Sequence, residues 1–156
     1  MADITAFPAI HNVLYSGDNI QSFTASGAIT AGQVVAIDAT GVTLTVRAAV
    51  AESGERPVGV AIMSAASGAQ VPVAMTGCIV CVANADDGTD IDAGEWLTAN
   101  INTVGGTVSA QSIAAESAGL AALYDTVVGF AVGDIPKSSY GLMMVNPQTI
   151  TRPNAS

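Results

Sequence analysis

From Arg56 to Val82 the chain reads R-P-V-G-V-A-I-M-S-A-A-S-G-A-Q-V-P-V-A-M-T-G-C-I-V-C-V. No residue from Pro57 to Ala85 is charged, yet Gly59, Gly68, Pro72 and Gly77 interrupt the run, and apolar residues alternate with small or polar ones. A period of two is the signature of a strand with distinct faces. It places Val58, Val60 and Ile62 on one face of a strand and Val71, Val73 and Met75 on one face of the next. Ser64 to Gly68 is then the polar turn of a buried hairpin. A membrane-spanning helix, which needs about 20 predominantly apolar residues, is the competing reading. The Ser-Ala-Ala-Ser-Gly interruption and the internal prolines argue against it.

The composition agrees with a β core. A chain of 156 residues is long enough for one domain with a sizeable interior. Half of the residues are hydrophobic but only 4% are aromatic, so Val, Ile, Ala and Leu must fill that interior, a bias that suits strands. Thirteen acidic side chains face only Arg47, Arg56, Lys137 and Arg152, giving a net charge of −9. Such a surface repels phosphate backbones and anionic lipid, which argues against direct nucleic-acid or membrane partners. No basic segment precedes an apolar run at the start, so no secretory signal is expected.

Working outward, the chain before Ala28 has a different texture. It mixes Phe7-Pro8, His11-Asn12 and Tyr15-Ser16-Gly17-Asp18-Asn19 without sustained periodicity, but keeps Ile4, Phe7, Ile10, Val13, Leu14, Tyr15, Ile20 and Phe23. A disordered tail is poorer in large apolar groups. Residues 1–27 therefore read as an extended arm that docks onto its own barrel, a sister subunit or a partner, because ordering it costs on the order of 1–2 kcal/mol per residue. From Ala28 the writing is regular. Gln33 to Ile37 and Thr43 to Ala49 are short strands with turns between them, and Ala51 to Glu55 is a polar loop leading into the hairpin.

The second half echoes the first. I-D-A-G-E-W-L-T-A from Ile91 repeats I-T-A-G-Q-V-V-A-I from Ile29, V-V-G-F-A-V from Val127 repeats P-V-G-V-A-I from Pro57, and Gly141 to Val145 stands where Val71 to Met75 stood. Thr107 to Ser109 is a further short strand, and Ser112 to Leu123 a loop or a single helical turn. The expected fold is all-β: a small β-barrel or sandwich-like domain over 28–146 with two weakly similar halves, an N-terminal arm, and a tail at 147–156. Closing the sheet would remove exposed edges.

Little here carries catalytic chemistry. Cys78 and Cys81 form a C-I-V-C, but residues three apart on a strand point to opposite faces and no further ligands accompany them, so they read as buried small hydrophobes. His11 is the single histidine and has no nucleophile or acid beside it. Asp86, Asp87, Asp90 and Asp92 offer oxygens of the kind calcium takes, but their spacing is not that of an EF-hand, and a solvated turn explains them; no cofactor is expected. No phosphate loop, nucleophile elbow, zinc-protease helix or dinucleotide fingerprint is present, so the residues describe a binding or structural domain, not an enzyme.

The order I-T-A-G-Q-V-V-A-I-D, R-P-V-G-V-A-I-M-S-A-A-S-G-A-Q-V-P-V-A-M-T-G, I-D-A-G-E-W-L-T-A and V-V-G-F-A-V, from about Ala28 to Val145, resembles the capsid decoration, or cement, proteins of tailed viruses. Trp96 and the Ala-rich stretch before Tyr124 depart from that pattern. The resemblance implies a barrel-like protein, made in the host cytoplasm, that adds to the outer surface of the assembled capsid, commonly as a homotrimer. There it staples neighbouring major capsid subunits against the pressure of packaged DNA. On this reading Ile4, Phe7, Ile10, Val13 and Tyr15 of the arm anchor it to the major capsid protein, and the arm adds a strand to a capsid subunit edge. Two alternatives remain. A fibre-base or glycan-binding attachment module would use exposed aromatics, for which Trp96, Tyr124 and Tyr140 are candidates. A carrier domain would display Lys137, the only lysine.

Overall fold

Short β-branched runs separated by Gly, Pro and Asx turns become eleven strands among the described residues. The computed structural model describes residues 12–40, 42–50, 56–84, 89–99, 105–110 and 124–151, with only the backbone of Tyr124, Asp125, Ile150 and Thr151. In chain order the strands are β1 (Leu14–Ser16), β2 (Ile20–Ala25), β3 (Val34–Ile37), β4 (Thr45–Ala48), β5 (Pro57–Ala61), β6 (Gln70–Ala74), β7 (Ile79–Asn84), β8 (Trp96–Ala99), β9 (Val108–Ala110), β10 (Tyr124–Ala131) and β11 (Ser139–Thr151). The fold is all-β, and no helix among the described residues is long and apolar enough to cross a membrane.

The two similar halves each close on themselves. Strands β2-β4-β3-β5-β6 form one five-stranded barrel; β7-β9-β8-β10-β11 form a second, with β1 added to the outer side of β7. Both rings are shut by one short parallel pairing, Thr24↔Thr45 and Ala25↔Val46 in the first and Asn84↔Val108 in the second, and every other pairing is antiparallel. Closure leaves neither ring a free edge of its own.

The registers match residue by residue. Val34 pairs with Val60, and Val60 with Ala74, in the first barrel; Trp96 pairs with Phe130, and Phe130 with Met144, in the second. Isolated bridges join Ile29 to Ala65 and Ile91 to Ile135. The turn chemistry repeats as well: Thr30 N–H donates to Gln33 Oε1 and Asp92 N–H to Glu95 Oε2, while Ala31 N–H donates to Ser64 Oγ and Ala93 N–H to Asp134 Oδ1. Gly59 and Gly129 occupy one position. A Cβ on either would strike a carbonyl oxygen of the next strand, that of Ala74 or of Met144, so both must be glycine.

The interiors fill in different ways. Phe23, Ala25, Ile29, Val35, Val46, Ala61, Val71 and Val73 pack inside the first barrel. In the second, Gly141 holds the place of Val71, and the space is taken by Ile135 where the first barrel has Ala65. Asn84 replaces Ala25 and is fully buried, its Nδ2 donating to the carbonyls of Thr89, Ile135 and Pro136. A buried amide without such partners would cost roughly 1–3 kcal/mol.

The two weakly similar halves expected of an all-β barrel domain are there, each closed as a barrel of its own. The structure departs from the sequence reading in three places. The segment expected as the end of the arm supplies β1 and β2, and β2 is an integral stave of the first barrel, because Ile20 to Thr24 pair with Gln70 to Ala74. Strand β11 runs on to Thr151, into the segment expected as tail. Val58 does not share a face with Val60: β3 takes one step from Val35 to Ala36 while β5 takes two, from Gly59 to Pro57. That bulge turns Val58 toward the first barrel's interior cluster, whereas Val60 and Ile62 pack on the core between the barrels.

Candidate functional site

Three groups of side chains bear on function: the N-terminal segment, the acidic turn, and the outer faces of the two barrels. Residues 12–20 strap the barrels together. Leu14 pairs with Val80 on the second barrel, Cys81 N–H donates to the Val13 carbonyl at 2.8 Å, and the chain then enters the first barrel at Ile20. Asn19 secures the crossing: its carbonyl accepts from Met75 N–H at 2.9 Å, and its Nδ2 donates to Thr76 O at 3.0 Å.

This strap sorts the anchors read from sequence. Ile4, Phe7 and Ile10 lie outside the described residues, as does His11. Val13 is 2% exposed and belongs to the core between the barrels, so it is not a surface anchor. Its burial was hidden in the sequence because its neighbours are the non-local strand β7. Tyr15 is 71% exposed, on the outermost strand of its sheet. Among the described residues nothing pairs with the other edge of β1.

The aspartates are engaged in turns. Asp90 Oδ1 accepts Lys137 N–H at 2.8 Å, Asp134 Oδ1 accepts Ala93 N–H at 3.0 Å, and Asp92 is exposed. Asp86 and Asp87 lie outside the described residues, among which no three His, Cys, Asp or Glu side chains gather to hold a metal. Lys137 is half-buried in the turn that Asp90 caps. Asp38 is held below the usual carboxylate range, first by a hydrogen bond from the Ser26 hydroxyl and then by Thr40 N–H at 3.0 Å. Cys78 is buried and Cys81 half-buried, both with free thiols, and burial pushes the Cys81 thiol up.

The outer faces differ. On the first barrel Val34, Val60 and Ala74 form a cross-strand row, all fully buried against the second barrel. The turn Gly105–Gly106 of the second barrel seals that contact: Val34 N–H donates to Gly106 O, Gly106 N–H to Ala49 O, and Gln33 Nε2 to Gly105 O at 2.7 Å. The matching row on the second barrel is Trp96, Phe130, Met144 and Ile79, all large and all partly exposed. The rings of Trp96 and Phe130 meet edge to face, with centroids 5.6 Å apart. Tyr140 is 40% exposed on β11, and the side chain of Tyr124 lies outside the described residues.

No protein-family model and no curated protein matches the chain. Among solved structures, the crystal structure of the head fiber gp8.5 N base in bacteriophage phi29 is similar. The likeness covers 88% of this chain and 97% of that one, with a TM-score of 0.52 and 20% identity. At that identity it is a likeness of fold.

Proposed function

We propose that this chain is a structural protein of a tailed-virus particle that seats on the outer surface of the head and contacts the major capsid protein. What supports the reading is the end-to-end likeness of its two-barrel fold to the base of a phage head fibre. Two finer roles fit that seat. The fold likeness favours a mount for an outward-projecting fibre; the resemblance read in the sequence favours a cement that ties neighbouring capsid subunits. We place the fibre-base role first.

The capsid contact is assigned to the segment that leads into β1, with Tyr15 beside the edge of that strand that no described residue pairs with. An edge strand offers unpaired backbone donors and acceptors in register, so a capsid strand adds to it without remodelling either partner. Val13 and Leu14 hold the strap in place and do not reach out.

The test is co-sedimentation with capsids that lack the protein, comparing the full chain, a chain shortened by residues 1–11, and Tyr15→Glu. The proposal expects the full chain to pellet with capsids and both variants to lose binding. A full chain left in the supernatant would overturn the seat, and undiminished binding by both variants would overturn the assignment to this segment. Heating the loaded capsids separates the roles: binding without gain in heat resistance is the mount, and a gain is the cement.

A further inference from the structure

We infer that the outer row of the second barrel, Trp96, Phe130 and Met144, with the carboxylates of Glu95 and Asp134 at its Trp96 end, is a docking surface for an arginine-bearing segment of another protein. The inference goes beyond the proposed seat and needs only the fold. The first barrel shows how such a row is used. Its counterpart, Val34, Val60 and Ala74, is fully buried against the second barrel, and Gln33 at its end reaches the covering turn, donating from Nε2 to Gly105 O at 2.7 Å. On the second barrel the same place is taken by larger groups that stay partly exposed.

The chemistry of the occupant follows from what changes between the two rows. Every member grows, from Val34, Val60 and Ala74 to Trp96, Phe130 and Met144, so the second row offers a broader floor with two aromatic rings. At its end Thr30, Gln33 and Ser64 give way to Asp92, Glu95 and Asp134, three exposed acids at the positions of three neutral residues. Glu95 Oε2 accepts Asp92 N–H at 2.8 Å and Asp134 Oδ1 accepts Ala93 N–H at 3.0 Å. Two neighbouring N–H groups thus hold both carboxylates at one turn, and each bond takes only one of a carboxylate's two oxygens. Lys137 is the one cation among the described residues of this barrel.

Gln33 donates to what covers it, whereas a carboxylate at Glu95 only accepts. The partner therefore brings donors to this end of the row, and a positive charge to match the acids. A guanidinium supplies both. Its planar face stacks on an indole while its edge forks onto a carboxylate, a combination that an ammonium matches less well. The stem of the same arginine, or an apolar neighbour, then covers Phe130 and Met144. The row crosses three adjacent strands, roughly 10 Å at about 4.8 Å per strand, so one segment of a few residues spans it. With four cations against thirteen acids this chain is a poor source of such a segment, which points to a different, basic partner.

Trp96 is the only tryptophan, so its fluorescence reports on this surface alone. The full chain would be titrated with the capped peptide Arg-Leu-Arg-Leu-Arg in low salt, about 0.02 M, where surface attraction is little screened. A saturable change in emission is expected, weaker with lysine in place of each arginine and absent with citrulline, which keeps donors but not charge. Glu95→Gln, which retains the turn bond, and Asp134→Asn are each expected to weaken binding about fivefold. Asp18→Asn removes the same charge far from the row and is expected to change nothing. No response to the peptide, equal binding of the three peptides, or equal weakening by Asp18→Asn and Glu95→Gln would overturn the inference. So would a response to maltohexaose in place of the peptide, the mark of a sugar platform, or a Trp96 shielded from acrylamide quenching, as by a second copy on the row. None of these readings involves capsids, so failure here and failure of the proposed seat are separate results.

Discussion

Gln33 and Glu95 occupy the same position in the two barrels, and each uses a side-chain oxygen to accept the N–H of the residue three before it, at 2.7 and 2.8 Å. They diverge at the other end. Gln33 is 8% exposed and its Nε2 donates to Gly105 of the opposite barrel, a bond a carboxylate cannot make; Glu95 is exposed. Gln33→Glu keeps the turn bond, loses the inter-barrel bond and buries a charge, so urea unfolding is expected to show a loss of about 2–3 kcal/mol. Glu95→Gln is expected to stay within about 0.5 kcal/mol.

The Ile135–Gly141 pair of the second barrel exchanges size with Ala65–Val71 of the first. A Cβ on Gly141 would overlap Ile135 Cγ1, so Gly141→Val alone is expected to cost about 1–3 kcal/mol by overpacking. Ile135→Ala alone should cost about 2–5 kcal/mol through the cavity it leaves. The double variant copies the first barrel and should cost at least about 1 kcal/mol less than the sum of the two, measured as a coupling energy in a double-mutant cycle.

Ser138 stands where the first barrel has Gly68, and both have positive φ, 52° and 81°. Its Oγ is buried with no hydrogen-bond partner among the described residues. Ser138→Gly relieves both faults, against a gain in unfolded-chain entropy, so a net stabilisation of about 1 kcal/mol is expected, seen as a rise in melting temperature.

Asp38 gives the fold an acid limb. Its folded-state value lies below the unfolded value of about 3.9, so its contribution is fully present above that pH and is lost as the pH falls through the folded value. The melting temperature of the unmodified chain should exceed that of Asp38→Ala at about pH 6, and the difference should shrink as the pH falls below about 3.9.

The strands, the hairpin at Arg56 to Val82 and the echo between the halves were legible because each rests on local spacing: alternation, a turn glycine, a repeated I-x-A-G. Closure of each half on itself was not, since β2 finds β4 and β6 across long stretches of chain that alternation does not specify. The bulge at Val58 was equally silent, because a pleat that slips by one residue leaves composition unchanged. The aromatic row left a trace in the echo itself, where Trp96 and Phe130 replace Val34 and Val60 at matched positions. Reading it as one surface needed the register that sets those strands side by side. Of the arm residues, Val13 is buried and Tyr15 exposed, because the strap of residues 12–20 directs one inward and the other out.

The strap also imposes an order of events on a growing polypeptide. Strands β2 to β6 contain a whole ring, so the first barrel can close while the ribosome is still extending the chain. Strand β1 has no such freedom: its partner β7 begins at Ile79, five residues after the last strand of the first barrel ends at Ala74, roughly 0.25 to 1 second later at about 5–20 residues per second. Until then an adhesive strand end waits beside a finished barrel, and pairing it to β7 is the step that locks the two units to each other.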